Sequence, residues 1–179
     1  MNRDQQFQRI KEYFDEKDRS YARVGRLPLG STEKGFWGTA HLDDCYELFK
    51  RIGLDSAKSF LDLGSGDGRV VLVASLFCPA SGIEFDAKLH AEAVAAKDAL
   101  GRSATFICGD YTDHDLSVHD VWFSYADHNF SWLEKKADEL TALYLYHDTY
   151  HPDFLEKGKI EWIGQIPVFR YTRRATREE

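Results

Sequence analysis

Phe60-Leu61-Asp62-Leu63-Gly64-Ser65-Gly66-Asp67-Gly68-Arg69 is the stretch that decides the fold class of this chain. Its first four residues, three of them large and apolar, read as a buried strand ending in a turn. Glycines at every second position remove the Cβ, so the backbone can turn sharply and approach a ligand closely. A helix is predicted from about Arg69 to residue 77, and its first N–H groups point outward at whatever the turn delivers. Strand, glycine loop and helix in this order mark a nucleotide-type ligand. A dinucleotide loop requires Gly-x-Gly-x-x-Gly. This chain carries Gly-x-Gly-x-Gly, with Asp62 two residues ahead of Gly64.

Working outward, the spacing predicts a second strand over 80–85 that ends in Glu84, with Phe85 beside it. Glu84 lies 20 residues after Gly64. An acid at that distance can accept hydrogen bonds from both hydroxyls of a ribose. A third strand over 104–108 runs into Gly109-Asp110-Tyr111, and a fourth over 119–125 runs into Tyr125-Ala126-Asp127-His128-Asn129-Phe130. Helices are expected over 87–100 and 130–140, a fifth strand over 141–147, and a closing pair over 159–163 and 167–172. Strands alternating with helices imply a parallel sheet with right-handed crossovers. The expected fold is α/β: a doubly wound, mostly parallel seven-stranded sheet with a C-terminal antiparallel strand pair. Ahead of it, residues 3–18 carry Phe7, Ile10, Tyr13 and Phe14 at helical spacing. Ser20 to Lys34 reads as a loop, and Phe36-Trp37-Gly38-Thr39 as the opening of a helix running to Ile52. The domain reading is an N-terminal helical arm and loop over 1–35 and one domain over 36–179.

In such a sheet a ligand binds outside the carboxyl ends of the strands. There the motifs resemble a known family. Asp62-Leu63-Gly64-Ser65-Gly66 with Gly82-Ile83-Glu84 is similar to the first two motifs of class I S-adenosylmethionine (AdoMet) methyltransferases. Adding Trp37-Gly38-Thr39 and Asn129-Phe130, residues 36–130 resemble one branch, the lysine methyltransferases typified by the nucleosome-core enzyme disruptor of telomeric silencing, and its small prokaryotic relatives. The acid usual in that branch between the glycine and the threonine is absent here, and Asp127-His128 differ from its residues before Asn-Phe. The resemblance implies a cofactor site. Trp37, Gly38 and Thr39 clamp the methionine end, and Asp62 takes the methionine amine. Gly64, Ser65, Gly66 and Gly68 form the close-approach loop, and Glu84 with Phe85 holds the ribose side. Asp110 and Tyr111 take the adenine. It implies an acceptor side at Tyr125, Asp127, Asn129 and Phe130, S-adenosylhomocysteine as product, and a protein lysine as the favoured acceptor. The alternatives are a small-molecule or RNA acceptor, or an AdoMet-binding module without catalysis.

Composition narrows the rest. Aromatics at 14% and hydrophobic residues at 43% suffice for a packed core and argue against disorder. No apolar run approaches the roughly 20 residues that span a bilayer. Cys45, Cys78 and Cys108 show no Cys-x-x-Cys spacing, which points to reduced thiols in the cytoplasm and to no zinc site. His114 and His119, among aspartates, read as a surface loop rather than a metal site. His147, Asp148 and His151 read as loop hydrogen bonders. The net charge is −7, concentrated in residues 27–169, which hold 12 basic against 23 acidic residues. So acidic a body disfavours phosphate-led nucleic-acid binding and favours a basic partner.

Overall fold

The computed structural model describes residues 1–125, 131–146 and 151–174. Helix α1 (Arg3–Arg23) starts at a capping box in which Asn2 accepts from the Gln5 N–H while the Gln5 side chain returns to the Asn2 N–H. Strands β1 (Leu29–Thr32) and β2 (Gly35–Gly38) then form a separate antiparallel hairpin. Two expectations are corrected here. The region read as a loop from Ser20 holds the last turn of α1 and strand β1. The Phe36-Trp37-Gly38 segment is strand rather than helix start, because helix α2 (Leu42–Arg51) begins only after the extended His41. Trp37 instead stacks across the hairpin, where a Cβ on Gly30 would lie 3.0 Å from its indole nitrogen.

From β3 (Phe60–Leu63) onward the order is α3 (Arg69–Ala74), β4 (Ala80–Glu84), α4 (Ala87–Leu100), β5 (Thr105–Cys108), β6 (Val121–Tyr125), α5 (Ser131–Glu134), β7 (Ala142–Tyr146), β8 (Glu156–Ile163) and β9 (Ile166–Thr172). The helix expected over 130–140 is thus a single turn, α5, followed by a 3-10 turn at Ala137–Glu139. Seven strands make one sheet in the order β5-β4-β3-β6-β7-β9-β8. The first five are parallel, and β9 runs antiparallel to both β7 and β8. The chain winds outward from β3 to β5, then crosses back to β6. The sheet therefore reverses direction between β3 and β6, where open α/β sheets bind ligands.

Side chains alternate across the sheet with the period of two that a pleated strand imposes. Phe60, Phe123, Tyr144 and Tyr146 face α1, α2 and α3; Leu61, Leu63, Trp122, Leu143 and Leu145 face the opposite layer with Leu116, Leu133 and Leu155. The first layer is helical. The second is built largely from turns and short helices. The N-terminal helix belongs to the first: Phe7, Ile10 and Phe14 are buried, and Phe7 stacks on Tyr46 with centroids 4.1 Å apart. Burying each such side chain stabilises by about 1.5–3 kcal/mol, so α1 is held as part of the core. Among the described residues no helix is long and apolar enough to cross a membrane.

Candidate active site

Leu63 is the last residue of β3, and the loop behind it is shaped by its own backbone. Gly64, Gly66 and Gly68 all have positive φ. Gly68 is doubly constrained: at φ +81° a Cβ would also meet Ala93 and Phe106 at 2.7 Å. The loop's amides are turned inward. The N–H groups of Gly64 and Ser65 both donate to the Ile83 carbonyl at 3.0 Å, and that of Gly68 donates to Ser65 at 2.9 Å. The Gly66 N–H donates to Glu84 Oε2 at 2.7 Å. These four loop amides are spent on the protein itself, so they give a ligand close approach rather than hydrogen bonds, and α3 behind them is a short helix.

A cavity of about 380 Å³ opens over this loop, a size usual for small-ligand sites. Every cofactor residue named from the sequence lines it except Gly68, which sits beneath the loop as the residue preceding α3. Tyr125 lines it too. Asp127, Asn129 and Phe130 lie outside the described residues, as do His147 and Asp148. Sequence reasoning missed Lys34, Asp67, Arg69 and Phe123 in the wall. Lys34 was hidden in a segment with no periodicity. Asp67 was in view inside the glycine motif, but besides the neighbouring Arg69 its partner Lys17 comes from the distant α1.

Among the described residues four carboxylates face the cavity, and each is handled differently. Burial would push Asp67 up, yet Arg69 and Lys17 hold its carboxyl below the usual range. Arg69 in turn donates to both oxygens of Asp18 at 3.0 and 2.8 Å, so the loop is braced against α1. Burial likewise opposes Asp110, but Lys34 and Thr112 bring it down to about 2. Glu84 is pushed up by burial and partly restored by the N–H groups of Asp86 and Gly66, which donate to its two oxygens at 2.8 and 2.7 Å. It is thus a buried brace of the loop, at the strand end where the ribose-side acceptor was expected. Asp62 has no hydrogen-bond partner among the described residues. Burial first, then Glu84 and Asp67, push it up to about 8. Ser65 Oγ is also buried without a partner among the described residues.

This set of acceptors fits AdoMet better than a dinucleotide. A pyrophosphate needs free N–H groups and tolerates no wall of acids. A ligand with an amine, a sulfonium, ribose hydroxyls and an adenine amine needs acceptors at separate strand ends. Asp62, Glu84 and Asp110 stand at the ends of β3, β4 and β5. Among the described residues no group of three His, Cys, Asp or Glu side chains could hold a metal ion.

The comparisons agree with this chemistry. The family model described as "Histone methylation protein DOT1" matches residues 31–134. No curated protein gives a significant sequence match. Among solved structures, the chain is similar to an RNA methyltransferase from Salinibacter ruber in complex with S-adenosyl-L-homocysteine. The TM-score is 0.61 at 21% identity, covering 79% of this chain and 97% of the other. It is similar also to a magnesium protoporphyrin IX methyltransferase from Synechocystis with bound AdoMet, with a TM-score of 0.59 at 14% identity, covering 74% and 77%. A putative methyltransferase from Escherichia coli gives 0.58 at 17% identity, covering 75% and 88%. At these identities the structural likenesses establish the fold; with the family match, which spans more than half of the residues, they make this chain an AdoMet-dependent methyltransferase belonging to the DOT1 histone methylation family.

Proposed function

We propose that the protein methylates lysine side chains of a protein substrate, in the cytoplasm, with residues 36–179 as the methyltransferase domain and 1–35 as an arm that braces it. The observation that carries this reading is the aromatic rim on an acid-lined cavity. Phe36 is 57% and Tyr125 44% exposed, yet both line the cavity. Tyr125 ends β6, one residue beyond the Leu63–Ser124 pairing that sets β6 beside the glycine loop. Behind it, the buried Tyr146 ring lies 5.7 Å away. The match to a histone methylation family supports the same acceptor class.

When bound, AdoMet supplies a methyl group on a sulfonium that leaves readily. The residues of this chain have to align the acceptor and keep it neutral. The acidic wall attracts a protonated amine. Aromatic faces then strip its hydration, desolvation lowers the ammonium pKa, and the proton passes to solvent water at the cavity mouth. Holding amine and methyl in line supplies up to roughly 7–11 kcal/mol of the barrier reduction. Glu84 and the loop it braces would position the cofactor, and Asp62 its amine. Free thiols at Cys45, Cys78 and Cys108 accord with a reducing compartment.

The test is incubation with radiolabelled AdoMet and a cell lysate, followed by separation into protein, RNA and small molecules and by hydrolysis of the labelled protein. Label recovered as methyl-lysine is the expected result. Label confined to RNA or to small molecules overturns the lysine reading.

A further inference from the structure

The tip of the β1–β2 hairpin carries Lys34. Thr32 Oγ1 fixes that turn by accepting from the Lys34 N–H at 3.3 Å and donating to the Gly35 carbonyl at 3.0 Å. From there the Lys34 side chain reaches the far wall of the cavity. Its Nζ donates to Asp110 Oδ2 at 2.8 Å and stands 4.7 Å from the centroid of the Phe85 ring. The other Asp110 oxygen accepts from the Thr112 N–H at 2.9 Å and from its hydroxyl at 2.7 Å. Oδ2 is therefore the oxygen left for a ligand's donor, and the ammonium is on it.

Asp110 is assigned above to the adenine as an acceptor for its exocyclic amine, and Phe85, read above on the ribose side, lines the same wall and offers a ring face beside it. An ammonium satisfies the same two partners, by cation–π attraction and by a charged hydrogen bond. We infer that Lys34 competes with the adenine ring for Phe85 and Asp110, so that the hairpin tip helps select which base the cofactor carries. An adenine amine has to displace the ammonium from Oδ2 or share that oxygen with it, and either weakens the ion pair. A base with a carbonyl in that position does not: its oxygen accepts from Lys34 and leaves the ion pair standing. Lys34 thus narrows the preference for adenine over hypoxanthine. The pair stays charged through the neutral range, because Asp110 lies at about 2 and Lys34 is raised by it. Salt is the variable that weakens the pair, since the Lys34 side chain is 55% exposed.

The inference rests on the cofactor placement proposed above, and the experiment separates the two. Calorimetry compares the wild-type full chain and Lys34→Met with S-adenosylhomocysteine and with S-inosylhomocysteine. Lys34→Met should bind the adenine compound about three- to tenfold more tightly, the combined size of one exposed ion pair and one exposed cation–π contact. It should bind the hypoxanthine compound no more tightly than before. Raising NaCl should strengthen adenine-compound binding to the wild type and not to Lys34→Met. Unchanged or weaker binding of the adenine compound to Lys34→Met overturns the competition. Phe85→Ala tests the placement itself: undiminished binding of S-adenosylhomocysteine removes the adenine from this wall, and the inference with it. Weakened binding to Phe85→Ala together with an unresponsive Lys34→Met overturns the competition alone.

Discussion

Asp62→Asn should move cofactor affinity and protein stability in opposite directions. Asp62 is buried, 4% exposed, without a partner among the described residues, and its carboxyl is pushed up to about 8. At pH 7 it is then roughly nine-tenths protonated, and AdoMet's amine can use it fully only after the proton leaves. Below pH 8, affinity should rise about tenfold per pH unit; above it, the amine of AdoMet itself deprotonates, near the roughly 7.7–8.0 of an α-amino group, and affinity should fall again. Asparagine keeps the shape and loses the charge. The acid limb should flatten, and affinity at pH 8 should drop by about 1.5–3 kcal/mol, the size of a hydrogen bond to a charged group.

Stability runs the other way. The folded pKa of this acid is raised above the roughly 3.9 of an aspartate in an unfolded chain. The folded state therefore binds more protons than the unfolded chain between about pH 4 and 8, and stability declines as pH rises through that window. Removing the acid removes the decline, so ligand-free Asp62→Asn should melt above the wild type at pH 8. Calorimetry from pH 6 to 9, with scanning calorimetry of the ligand-free proteins, reads both effects. Wild-type affinity that does not change between pH 6 and 8, or full affinity in Asp62→Asn at pH 8, would refute the reasoning.

Two further substitutions test how the loop is held. A Cβ at Gly82 would lie 2.6 Å from Ser65 Cβ and Oγ and 2.8 Å from Val71 Cγ2; Gly82→Ala should destabilise by about 1–3 kcal/mol and weaken S-adenosylhomocysteine binding, and an unchanged melting temperature would show that the loop is not wedged against β4. Arg69→Met leaves Asp67 with Lys17 alone and takes from Asp18 its cation on the loop, so unfolding by denaturant should show a loss of about 1.5–3 kcal/mol; a loss below 1 kcal/mol would mean that α1 does not brace the loop through this pair.

The β3–loop–α3 unit was legible in the sequence because three signals coincide there: an apolar run, alternating glycines and a following helix. Glu84 and Asp110 were legible because strand ends fix where an acid must stand. The hairpin was not. Its strands are four residues each, glycine-bearing and mostly exposed, so they leave no alternating apolar pattern to read. Thr39 resembles a helix cap, yet His41 opens the helix, because propensity is weaker than the geometry of the hairpin before it. The 130–140 helix ends early as the chain turns to deliver Glu139, whose carboxylate accepts from the Leu116 N–H at 3.0 Å. Protonation was the least legible property. Asp62, Asp67, Glu84 and Asp110 are one residue type or its homologue in sequence, and only tertiary partners distinguish them.

That distinction carries the logic of the cavity. A buried carboxylate has three ways to be tolerated: a cation beside it, backbone N–H groups on it, or a proton. Asp67 has the first, Asp110 has Lys34 with Thr112, and Glu84 has the second. Asp62 has only the third. Its place on β3 is fixed by the sheet: it pairs in register with Gly82, whose missing Cβ admits Ser65 and keeps the loop tight over it. Its carboxyl is 4% exposed and faces the cavity where the ligand would sit. A cationic ligand group can supply the missing partner, and ligand binding then adds stability by mass action on top of that compensation. The same burial that makes Asp62 a poor carboxylate in the ligand-free protein makes it a strong one once an ammonium is beside it, because the pair interacts in a medium that screens little. On the proposed placement of the methionine amine beside Asp62, a stability deficit at the end of the central strand is the physical counterpart of selectivity for a positively charged cofactor.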